Sequence, residues 1–158
     1  MTLARLLVFS LLLWVAAVVF APIAIASPVP AIARAALIVY GAGGLVCHQR
    51  PERSFQIGGR QLAVCARCTG LYVSALASGL LALIFGVASM SPSRARVWLG
   101  AAALPTLLTV ALELAHVAYP SNMTRMLSAL PLGAVAAWLV IGALHRAPST
   151  DQHRAPGT

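Results

Sequence analysis

The sequence predicts an all-α polytopic membrane protein, a helical bundle of four to five membrane segments. Three observations predict it. Hydrophobic residues make up 60% of the 158-residue chain and charged residues only 9%, far from the proportions of a soluble domain. A helix rises ~1.5 Å per residue, so crossing ~30 Å of hydrocarbon takes ~20 apolar residues, and residues 6–26, 69–90 and 126–144 are uncharged runs of that length. Segments rich in Pro, Ser and Asn separate these runs, as breaks between helices require.

The first run follows Arg5 and ends near "AIAS", which also resembles a secretory signal. Its apolar stretch exceeds the ~7–15 residues of a signal core, and more spans follow, so an uncleaved first helix is expected. The second segment is shorter. Between Arg34 and His48 it has thirteen uncharged residues, so it spans only if it extends back to Val29 with Arg34 snorkelling to the interface; otherwise it is a re-entrant or half-buried helix. Gly41, Gly43 and Gly44 suggest either close packing against a neighbour or a loosened helix end. Residues 69–90 form the third segment. The fourth, 97–119, is long enough but carries Glu113 and His116, three positions apart and expected on one sheltered face, where they could pair with each other, with Arg125 or with a metal. The last, 126–144, follows "PSN", where Ser121 or Asn122 is suited to cap it, and Arg125 is expected at the interface. Residues 1–145 form one membrane domain with a polar loop at 45–72, and the tail 146–158 is too short and polar to pack.

The net charge is +8, and every basic residue is Arg rather than Lys. The arginines are spread over all loops instead of forming one stripe with interleaved aromatics, so the expected partner is the lipid bilayer and not nucleic acid. Arg and Ala richness suggests a GC-rich bacterial genome, hence a bacterial inner membrane. Charge counts on the two sides are nearly tied. Four arginines in the 45–72 loop and three cysteines that cannot all pair point the loop to the cytoplasm. Nothing in the sequence sets a homo-oligomeric state.

That loop, "LVCHQRPERSFQIGGRQLAVCARCTGLY", holds all three cysteines, four of the eleven arginines and one of the three acids. Its residues Cys47, His48, Gln49, Pro51, Arg53, Ser54, Phe55, Gly59 and Gln61, then "CARCTG" from Cys65 to Gly70 and Tyr72, resemble the hallmark of the small bacterial and archaeal membrane proteins grouped as domain of unknown function 2085. Glu113 and "PSNMTR" with Arg125 form a second element of that resemblance. The resemblance implies a multi-span membrane protein and carries no established activity.

Cys47, His48, Cys65 and Cys68 make a Cys-His pair and a CxxC, whose thiolate and imidazole ligands suit a tetrahedral metal ion, zinc foremost. Glu113 or His116 would be alternative fourth ligands. A thiol oxidoreductase is the chemical competitor, because Cys65 and Cys68 sit where a helix begins, and its N-terminus together with Arg67 would lower a thiol pKa. A small transporter using Glu113 and His116 is the third reading. No Ser-His-Asp set, Gly-rich phosphate loop or pair of catalytic carboxylates is present, so the sequence leans away from an enzyme. Arg53, Arg67, Glu113, His116 and Arg125 are further functional candidates, while Gln49 and Gln61 are expected to satisfy loop backbone.

Overall fold

The computed structural model describes residues 2–87 and 90–146. It contains five α-helices: α1 (Thr2–Ala24), α2 (Pro30–Val46), α3 (Ala66–Phe85), α4 (Pro92–Leu114) and α5 (Asn122–Arg146). All but α2 are long and apolar enough to cross a membrane. The sequence-expected tail begins at 146, and residues 147–158 lie outside the described residues.

Proline sits at the first turn of α2 and of α4, where its missing N–H has no helical partner to lose. Ser121 caps α5: its Oγ accepts from Thr124 N at 3.1 Å, and its carbonyl accepts from Arg125 N at 3.0 Å. The helix therefore starts at the "PSN" break, as its polar side chains require.

Helices α3 and α5 run parallel in close contact. A Cβ on Gly70 would strike the Met126 carbonyl, and one on Gly133 would strike the Leu71 carbonyl; Ser78 Oγ donates to Ala134 O at 2.8 Å. Small residues let the two backbones approach, which is how helices associate where lipid is as apolar as the side chains. Antiparallel α4 reaches α5 through Thr106 Oγ1, which donates to Ser128 O at 2.8 Å. Most of its large apolar side chains, among them Val97, Trp98, Leu104, Leu107 and Leu108, are exposed, as lipid-facing residues would be.

The path of α1 decides the span count. Ala4 and Val8 pack with Ala82 and Ile141 near the C-terminal ends of α3 and α5, whereas Val18 packs with Cys47, Leu62 and Val64. Helix α1 thus finishes at the end of the bundle where α3 begins. Helix α2 joins those two points, so it starts and ends on one side, and its seventeen residues would reach only about 25 Å. Residues 29–46 therefore do not span, as the re-entrant or half-buried alternative has it, and four helices pass from end to end. Consequently the 45–72 loop and "PSNMTR" lie at one end of the bundle, opposite Thr2.

Candidate functional site: a three-thiol cleft beside a carboxylate with three arginines

The loop between α2 and α3 is built, not slack. After Cys47 ends α2, a 3-10 turn (Pro51–Arg53) leads to a two-strand hairpin, β1 (Gln56–Ile57) and β2 (Arg60–Gln61), paired Gln56 with Gln61 and Ile57 with Arg60. Its two-residue turn is Gly58–Gly59 with φ of 59° and 75°, the double positive φ of a type I′ hairpin.

Gln49 fastens the loop. It holds φ 46°, a left-handed conformation that a non-glycine residue adopts only when its surroundings enforce it. Its Nε2 donates to Tyr40 O and Ala63 O, both at 2.7 Å, and its carbonyl accepts from Gln61 Nε2 at 3.1 Å. Tyr40 Oη donates to Gln61 O at 2.5 Å. Gln49 and Gln61 do satisfy loop backbone. A Cβ on Gly43 would collide with the Ala63 carbonyl and Gln49, whereas Gly41 has open space. Gly43 alone of the trio therefore meets the close-packing expectation; Gly44 has only ordinary contacts.

This scaffold converges the thiols. Cys47 is buried at the end of α2, Cys65 is the N-cap of α3 and Cys68 lies in its first turn. The metal-binding atoms of the three lie within 4.8 Å of one another, and all three are free thiols. Cys65 N donates to Cys47 Sγ at 3.1 Å. A hydrogen bond from the Cys68 side chain pulls the Cys65 pKa down to about 5; burial opposes the shift, and the Cys68 backbone, the Cys47 side chain and the Arg67 backbone reinforce it. His48 is exposed and stands outside that group of three, although it borders the same cavity. The cavity has a volume of about 260 Å³ and is walled by Val46, Cys47, His48, Gln49, Arg50, Arg53, Cys65, Arg67 and Cys68.

Behind the thiols lies a buried charge cluster. Glu113 in the last turn of α4 receives Arg67 Nη2 at 2.5 Å on Oε2 and Arg125 Nε at 3.0 Å on Oε1; Arg125 Nη2 also bonds Oε1, and Arg53 Nε stands 3.8 Å away. Arg125 Nη1 donates to Asn122 Oδ1 at 2.9 Å, and Asn122 Nδ2 donates to Ser54 O at 3.0 Å, which ties α5 to the loop. Arg125, in the first turn of α5, is 6% exposed and pairs with Glu113, one of the partners the sequence offers for that acid.

His116 also departs from expectation. Helix α4 ends at Leu114, and His116 lies beyond it at φ 55°, so the two residues do not share a helical face. Its Nδ1 is 2.9 Å from Tyr119 Oη, and it joins Glu113 only as a wall of a second cavity of about 180 Å³ with Arg53, Arg67 and Tyr119. Tyr40 is a site-building residue that sequence reasoning missed, and nothing marked it; Asn122 was singled out only as a helix cap.

A family model described as "Predicted membrane protein (DUF2085)" matches residues 47–139. The chain belongs to the DUF2085 family. The matched stretch runs from Cys47 through Glu113 and Arg125 into α5, so the thiol cleft and the charge cluster both fall inside it. An uncharacterized protein of Methanothermobacter thermautotrophicus is 31% identical over 88 residues, which cover 56% of this chain and 78% of that protein. An uncharacterized protein of Methanocaldococcus jannaschii is 50% identical over 40 residues, 25% of this chain and 26% of that protein, so the chain spans about a quarter of that relative's length. No solved structure matches the chain.

Proposed function

We propose that this DUF2085 protein is a metal-binding membrane module in which Cys47, Cys65 and Cys68 hold one thiophilic divalent ion, zinc foremost. The observation that carries the reading is the convergence of three sulfurs from segments eighteen residues apart within 4.8 Å. A tetrahedral zinc with Zn–S near 2.3 Å needs sulfurs about 3.8 Å apart, a separation small adjustments would supply. The low Cys65 pKa supplies one of the thiolates such an ion requires. His48, by turning inward, or a water from the cavity would complete the shell. The ion would supply a cross-link between the end of α2 and the start of α3, and its fourth position would face the cavity.

A thiol–disulfide couple of Cys65 and Cys68 is the second reading, favoured by the same lowered thiol. The two are separated by metal content from elemental analysis and thiol titration on one detergent-purified sample. One equivalent of metal with three reduced thiols upholds the module; a metal-free protein cycling between dithiol and Cys65–Cys68 disulfide overturns it. The transporter reading loses its free acid, because both oxygens of Glu113 are engaged by arginine. We also propose a bacterial inner-membrane location with the loop cytoplasmic, since that end carries six of the eleven arginines, four of them in the loop itself, and reduced thiols persist in the cytoplasm.

A further inference from the structure

We propose that the cavity bordered by Arg50, Arg53, Arg67 and the three cysteines binds a phosphate-type oxyanion, free or as the headgroup of a lipid. The inference rests on the arginines and not on the metal. Arg53, Arg67 and Arg125 share a single carboxylate, Glu113, so these four groups together carry two positive charges in excess. A divalent ion on three thiolates would reduce the excess to one. Buried guanidiniums without counter-charge are costly, and Arg67 Nε is buried with no hydrogen-bond partner.

The geometry grades the arginines from mouth to floor: the side chains of Arg50, Arg53 and Arg67 are 59%, 37% and 14% exposed. No carboxylate lines the cavity. Arg50 has only the exposed Glu52 at 3.8 Å as an ionic partner, an ion pair that solvent screens. Guanidinium forks match oxyanion edges, and a phosphate monoester carries a charge of about −1.5 to −2 at neutral pH, which matches the excess better than one carboxylate does. A lipid source is credible because Leu45 and Val46, at the cavity end of α2, are 87% and 62% exposed and would meet acyl chains.

The test uses detergent-purified full-length protein, as isolated and after chelator treatment. Inorganic phosphate is titrated calorimetrically. Retention of phosphatidic acid is measured by native mass spectrometry, with diacylglycerol as the control lacking phosphate. The expected result is one phosphate or one phosphatidic acid per chain in both samples. Arg53→Gln should weaken binding at least tenfold, while Arg60→Gln, on the hairpin outside the cavity, leaves it unchanged. Arg53 is part-exposed with one long ionic contact, so its variant should fold, as circular dichroism checks. Phosphate binding identifies a free anion as the ligand; phosphatidic acid binding alone identifies the lipid. Absence of both, equal binding by Arg53→Gln, or binding abolished by chelation would overturn the proposal. Protein that carries no metal as isolated and still binds phosphate defeats the metal reading and leaves this one standing.

Discussion

Arg67, adjacent to Cys68 in the first turn of α3, donates to Glu113 in the last turn of α4 at 2.5 Å across 46 positions of sequence. This bond makes the thiol cleft and the charge cluster one structural unit. Arg67 walls the cleft while its guanidinium is held from behind.

Glu113→Gln should be among the most damaging single substitutions. Among the described residues it strips the only carboxylate from Arg67 and Arg125, whose side chains are 14% and 7% exposed, and breaking a buried pair costs about 3–5 kcal/mol. Glu52→Gln, at an exposed pair, should stay within about 0.5 kcal/mol of wild type. Equilibrium unfolding in mixed micelles checks both, and equal effects would remove Glu113 from its central place.

Gly43→Ala should lower stability by about 1–3 kcal/mol, because the added methyl meets backbone that cannot yield. Gly41→Ala enters open space in the same helix and should be neutral or stabilising by up to about 1 kcal/mol. A thermal melt of the two variants side by side reads the contrast; indistinguishable melts would mean α2 does not dock on Ala63.

Under the metal reading, Cys47→Ser should lose stoichiometric metal as fully as Cys68→Ser, since each removes one of three sulfurs from the shell. His48→Ala should weaken affinity less, because its side chain is exposed and outside the group of three. Elemental analysis of the purified variants decides. Retention of full metal by Cys47→Ser would point back to an isolated CxxC pair.

The chain contains no lysine, so single lysines report topology with little background. Arg60→Lys and Ser121→Lys should be modified by an impermeant amine reagent from one face of the membrane, and Arg94→Lys from the other. Peptide mapping distinguishes these sites from the terminal amine. With the loop cytoplasmic, the first two label in inverted vesicles and not in intact cells. Arg60→Lys and Ser121→Lys labelling from opposite faces would contradict the four-span path.

The sequence by itself determined the membrane class, the four long spans and the position of the polar loop, because apolar run length is a local property that bilayer thickness reads directly. It also placed Cys65 and Cys68 at the start of α3, since CxxC abuts the uncharged run. Only the tertiary structure decided that α2 returns to the side it left, because that depends on Val18 meeting Cys47 and Val64 while Val8 meets Ala82. It likewise decided who shares Glu113. His116 and Arg125 were both candidates in the sequence; the helix ends before His116, and Arg67 from α3 and Arg53 from the loop join Arg125 on the carboxylate. A buried carboxylate draws the cations that packing brings within reach, and packing between distant segments leaves no periodic trace in a single chain.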